Sequence, residues 1–60
     1  MDRGILEQTE YTTNGGTLIT IINFKSFLDL ENYFLQEFDR FKNEKYKTKV
    51  IGKTLLIFKT

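Results

Sequence analysis

Sixty residues with 9 Lys+Arg, 8 Asp+Glu, 40% apolar residues and neither Cys nor His describe one small domain, residues 1–60, of net charge +1. A chain this short removes only about 60% of its unfolded surface from water, so without a metal or disulfide it depends on a tight core or on a partner chain. The missing residue types exclude thiol nucleophiles, Cys/His zinc centres and imidazole acid-base catalysis.

Phe, Tyr, Met, Ile, Asn and Lys fill almost half of the positions while Ala, Pro and Trp are absent, the bias of an AT-rich coding sequence such as that of a low-GC bacterium, its phages or a mobile element. The start, Met1-Asp2-Arg3-Gly4, lacks the apolar run of a signal peptide, and no stretch approaches the roughly 20 apolar residues of a membrane span. A soluble, cytoplasmic chain is expected. Charge is segregated: residues 1–39 hold seven acids and two bases, whereas residues 40–53 hold Arg40, Lys42, Lys45, Lys47, Lys49 and Lys53 against Glu44 alone.

In chain order, residues 5–12 and 17–24 are rich in β-branched and aromatic side chains and flank Asn14-Gly15-Gly16, which predicts a β-hairpin. A two-residue Asn14-Gly15 loop in a type I′ turn sets Tyr11 opposite Leu18 and Thr9 opposite Thr20; a three-residue loop shifts that register by one. From Phe27 the period changes. Phe27, Leu30, Phe34, Phe38 and Phe41 form one stripe on a helical wheel and predict an amphipathic helix over about 27–43. Ser26, with Asp29 three residues on, supplies the N-cap, Asp29 itself being the alternative cap; Arg40 and Lys42 suit the last turn, and Asn43 is the best C-cap residue available. Residues 46–51 and 54–59 read as two more strands joined by Gly52-Lys53, suited to a type II′ turn, with a single bulged strand as the competing reading. The expected fold is therefore α+β: a ββαββ chain whose small four-stranded sheet carries one amphipathic helix on one face.

Apolar surface then exceeds what one helix can cover. Ile19 and Ile21 alternate with Leu18, Ile22 and Phe24, and Leu55 and Ile57 alternate with Leu56 and Phe58, so two strands are apolar on both sides. Leu28 and Leu35 widen the helical stripe by roughly 80–100°. A compact monomer accommodates this if those strands are central and Lys stems cover the back. A second chain accommodates it better: burying six such side chains at roughly 1.5 kcal/mol each yields about 9 kcal/mol, comparable with the whole stability of a small domain. Ile19, Ile21, Leu28, Leu35, Leu56 and Phe58 are accordingly the expected partner or dimer interface.

Catalysis finds little support. Glu7, Glu10, Glu31, Glu37 and Asp39 match no ligand spacing, so no metal or other cofactor is expected. Ser26 is better read as a cap than as a nucleophile, and Asn14-Gly15-Gly16-Thr17 lacks the spacing and the following helix of a phosphate loop. A helix with four acids and two bases over 27–43 has the wrong sign for anionic lipid. Two function classes remain. The favoured one is a non-enzymatic, homodimeric module that binds a heterologous protein, most concretely a phage or mobile-element inhibitor or adaptor acting on a host protein. The second is a nucleic-acid-binding module that uses Arg40, Lys42, Lys45, Tyr46, Lys47, Lys49 and Lys53, with Tyr46 and Phe58 stacking on bases. Against the second, Lys47 and Lys49 are equally explained as edge-strand charges that deter aggregation.

Overall fold

The protein, a computed structural model, is described over residues 3–60; Met1 and Asp2, the start of the expected leaderless chain, lie outside the described residues. A hairpin of β1 (Ile5–Thr12) and β2 (Leu18–Phe24) is followed by α1 (Phe27–Gln36), α2 (Phe38–Asn43) and a second hairpin of β3 (Lys47–Ile51) and β4 (Thr54–Lys59). All pairings are antiparallel, and the sheet runs β1-β2-β4-β3. The fold is thus the expected small α+β one, with two helices where a single helix is predicted. Its order has a physical reason: the two strands that are apolar on both sides take the centre, and the charged strands take the edges.

The first turn settles the register. Thr13 N–H donates to the Thr17 carbonyl at 2.9 Å, Gly16 N–H donates to the Thr13 carbonyl at 3.0 Å, and Gly16 has φ 87° while neither Asn14 nor Gly15 is at positive φ. This is a three-residue loop, a type I turn closed by a glycine in the left-handed region, in place of the type I′ pair. Tyr11 consequently lies opposite Ile19, and Thr12 opposite Leu18. At the other hairpin Ile51 pairs with Thr54, and Gly52 (φ 60°) takes the first central position of a two-residue turn, as type II′ geometry requires.

Ser26 is the N-cap of α1: its hydroxyl accepts from the Asp29 N–H at 3.2 Å and donates to the Asp29 carboxylate at 2.8 Å. The helical rod bends at Glu37 (φ −101°, ψ 5°), where the Glu37 N–H still donates to the Tyr33 carbonyl and its own carbonyl still accepts from Phe41, both at 3.0 Å. The Glu37 carboxylate is held there between Arg3 at 3.6 Å and Arg40 at 3.3 Å. The bend changes the phase of the apolar stripe. Leu30, Tyr33 and Phe41 are buried and Phe34 half-buried, whereas Phe27 and Phe38, expected in the same stripe, are exposed. With Ile22, Phe24, Leu55 and Ile57 from the helix-facing side of the sheet, these residues form the core. Ile22 and Leu55 lie opposite each other at its centre with no solvent exposure.

The helical segment closes beyond Asn43, at Glu44 and Lys45. Tyr46 N–H donates to the Phe41 carbonyl (2.9 Å), Lys45 N–H donates to Lys42 (3.3 Å), Lys45 sits at φ 59°, and the Tyr46 ring packs edge-on against Phe41 at 5.9 Å. This is a Schellman closure in which Lys occupies the position glycine usually fills. We predict that Lys45→Gly stabilises the protein by about 1 kcal/mol, raising Tm by about 5 °C, because it relieves a left-handed backbone at a solvent-exposed site; thermal denaturation followed by circular dichroism checks this. Gly4 is the opposite case. It lies at φ 75°, its carbonyl accepts from Lys25 N–H at 2.8 Å, and a methyl group on its Cα would fall on the Asp29 side chain. Gly4→Ala is therefore expected to cost about 2 kcal/mol or more, since it strains the backbone and displaces the carboxylate that accepts from Ser26; urea unfolding measures the loss.

Candidate functional site

The sheet face turned away from the helices is built from three cross-strand rows. Tyr11, Ile19, Phe58 and Lys47 form the first, Thr9, Ile21, Leu56 and Lys49 the second, and Glu7, Asn23, Thr54 and Ile51 the third. The third row is tied by hydrogen bonds: Thr54 Oγ1 donates to Asn23 Oδ1 at 2.6 Å, and Asn23 Nδ2 donates to Glu7 at 3.2 Å. The first two rows put Ile19, Ile21, Leu56 and Phe58 side by side, each half-buried by its cross-strand neighbours, with Tyr11 exposed at one margin and Lys47 and Lys49 at the other. This face is apolar in the middle and basic at the β3 edge, with one carboxylate, Glu7, at a corner of the β1 edge.

Four of the six expected interface residues thus form one patch. Leu28 and Leu35, 63% and 65% exposed, do not join it: they project from α1, on the other side of the sheet. They belong with Phe27 and Phe38 to a second apolar surface on the outside of the helices. Beside it runs a groove of about 240 Å³ between α1 and β3, lined by Phe27, Leu30, Glu31, Phe34, Thr48, Lys49 and Val50. The sequence reasoning missed Tyr11, Val50 and Phe27 as surface residues. Tyr11 needed the three-residue loop, and Phe27 needed the rotation of the helix about its axis.

The basic residues do not gather into one tract. Arg40 is committed to Glu37 and lies over the rings of Phe41 and Tyr46, at 5.2 and 5.6 Å. Burial pulls the Arg40 guanidinium down, but the charge and hydrogen bond of Glu37, with Tyr33 and Tyr46, outweigh it and leave the group above its ordinary value. Lys59, 5.0 Å from the centre of the Tyr46 ring, pairs with Glu44 at 3.3 Å. Tyr46 is thereby half-buried, with Phe41 and two cations against its ring. Lys42 and Lys45 are exposed at the end of α2, Lys47 and Lys49 line the sheet face away from the helices, and Lys53 sits in the second turn.

The carboxylates are mostly engaged in structural pairs. Glu10 accepts from Thr20 Oγ1 at 3.2 Å, Glu7 accepts from Asn23, Glu37 joins the two arginines, and Asp29 sits on Ser26. Among the described residues no group of three or more Asp or Glu side chains is placed to hold a metal ion. No described helix is long and apolar enough to cross a membrane. A small polar pocket of about 100 Å³ between β1 and the helices, rimmed by Glu10, Tyr33, Arg40 and Tyr46, has its one guanidinium already neutralised by Glu37. No known protein family, characterised protein or solved structure matches this chain.

Proposed function

We propose that the chain is a non-enzymatic protein-interaction module that acts as a homodimer, the two copies stacked through the sheet face away from the helices. The observation that carries this reading is the contiguous block of Ile19, Ile21, Leu56 and Phe58, flanked by Tyr11 and Thr9 on β1 and by Lys47 and Lys49 on β3. A two-fold axis lying between the sheets and parallel to the strands sets the β1 edge of one copy over the β3 edge of the other, Tyr11 facing Lys47, Thr9 facing Lys49 and Glu7 one row away from Lys49. A two-fold perpendicular to the strands would stack the lysines on their own counterparts, so charge selects the first arrangement.

The gain from this surface is smaller than the full burial of six side chains. Its four central residues are already partly covered, and Leu28 and Leu35 lie elsewhere, so a partner removes only the remaining exposed area at about 25 cal/mol per Å². A reversible dimer with Kd of order 10 µM is the expected outcome. Light scattering coupled to size exclusion, run from about 1 µM to about 1 mM, should show mass rising with concentration. Ile21→Lys, central to the face yet able to extend its ammonium to solvent, should remain folded and stay monomeric throughout. A wild-type chain that stays monomeric at the top of that range contradicts the dimer.

A second reading follows from the same face, where Phe58 lies directly opposite Lys47 and Tyr11 is exposed in the same row: aromatic rings beside cations can take single-stranded nucleic acid. It expects binding of a dT oligonucleotide that weakens steeply with salt, by roughly 0.7 log units per tenfold salt for each phosphate contacted. Loss of that binding in Lys47→Glu/Lys49→Glu would support it, and no binding at low salt would eliminate it.

A further inference from the structure

We infer that the open edge of β3, with the groove beside it, is a docking site for an extended acidic segment of another protein, which joins the sheet as a fifth strand. The inference rests on the interaction-module reading and extends it to a heterologous partner at the β3 edge and its groove, a site that shares only Lys47 and Lys49 with the dimer face. β3 is the last strand of the sheet, paired to β4 on one side only. In an antiparallel hairpin closed by a two-residue turn, the residues flanking the turn form a hydrogen-bonded pair and the bonding alternates from there. Ile51, Lys49 and Lys47 therefore direct their backbone groups to β4, while Val50 and Thr48 direct their N–H and C=O groups outward.

Those two residues also line the groove, together with Phe27, Leu30 and Phe34 and with two charged residues of opposite sign, Glu31 and Lys49. Residues directly opposite on paired strands share a face, so the positions of an incoming strand that bond to Val50 and Thr48 put their own side chains into this apolar groove. The intervening positions emerge on the other face, beside Lys47 and Lys49. Backbone, cavity and charge thus specify one ligand pattern: an extended segment alternating acidic and apolar residues. A second copy of this chain does not supply it. Its β1 alternates Glu7, Thr9 and Tyr11 with Gln8, Glu10 and Thr12, leaving no apolar row for the groove, and its β3 would set lysine against lysine.

Fluorescence anisotropy with a labelled peptide, Glu-Val-Glu-Leu-Glu-Val, tests the site. Saturable binding with Kd of about 100 µM is expected, with at least about tenfold weaker binding of Lys-Val-Lys-Leu-Lys-Val and of the acidic peptide N-methylated at alternate residues. Val50→Pro removes an outward-pointing N–H, a position where an edge strand tolerates proline, and should abolish binding in a protein of unchanged circular dichroism. N-methylation makes the same test without altering the protein. In hydrogen exchange the amides of Thr48 and Val50 should slow when the peptide is bound. Equal affinity for the acidic and basic peptides, indifference to N-methylation, or no saturation up to about 1 mM overturns the proposal. The same titration on Ile21→Lys separates the two readings: binding retained by that variant upholds the strand site whether or not the wild-type chain dimerises, and binding lost there while its fold persists overturns the independence of the site from the dimer face.

Discussion

Two adjacent strands that are apolar on both sides, with helical cover for one side only, set the terms for the rest of this molecule. On the covered side β2 and β4 place Ile22 against Leu55 with no solvent exposure, and an aromatic sequence from Phe24 through Tyr33, and from Phe34 through Phe41 to Tyr46, closes over them. On the other side the same strands offer Ile19, Ile21, Leu56 and Phe58 to nothing but their own neighbours in the sheet. Among the described residues both helices lie on one side of the sheet, so the second apolar side of β2 and β4 carries no helical cover.

The edges carry the compensating feature. Exposed strand edges invite indiscriminate pairing, and this sheet marks its two edges with opposite charge. β1 bears Glu7 and Glu10 and is interrupted by an irregularity between Ile5 and Glu7, which leaves Leu6 exposed outside the ladder. β3 is short, regular and bears Lys47 and Lys49. Like edges repel, so β3 cannot readily extend along another β3. What repels a lysine-bearing strand attracts an acidic one. The charges therefore act as a filter on partners, and a filter of this kind is consistent both with stacking of two copies and with uptake of a chosen strand.

Much of this could be read from the residues. Strand boundaries followed from β-branched runs bounded by Asn14-Gly15-Gly16 and Gly52-Lys53, and the helix start followed from Ser26 and Asp29, because those signals act within four residues of where they sit. The failures occur where a distant group decides. The break at Glu37 is braced by Arg3, 34 positions away, and leaves Phe38 facing outward, while the rotation of α1 turns Tyr33 into the core and Phe27 out of it. The hairpin register depended on whether Gly15 or Gly16 adopted the left-handed conformation, a choice of one residue that moved Tyr11 to the face away from the helices. The division of the expected interface has the same origin. Leu28 and Leu35 share the apolar character of Ile21 and Phe58, but only the side on which α1 packs shows that the two sets cannot meet one partner surface.

The groove and the open edge it adjoins are positioned by two devices at opposite ends of the helical segment. At one end, the stretch before β1 straps the helices: Arg3 lies over Tyr33 at 4.4 Å, donates to Gln36 at 3.1 Å and reaches Glu37, while Gly4 passes close enough to Asp29 to leave no room for a side chain. This fixes the rotation of α1, and with it the exposure of Phe27 on the groove. At the other end, Lys45 in the left-handed conformation reverses the chain so that Tyr46 packs on Phe41 and β3 departs along the free side of β4. Neither device touches the groove, yet its two walls are α1 and β3, the elements they orient. A 60-residue sequence without cysteine has no disulfide with which to hold a cleft open. Here local backbone geometry at one end and a cation held between a ring and a carboxylate at the other do so, and the half-filled space that results lies beside a sheet edge whose outward amides belong to the groove-lining residues Thr48 and Val50.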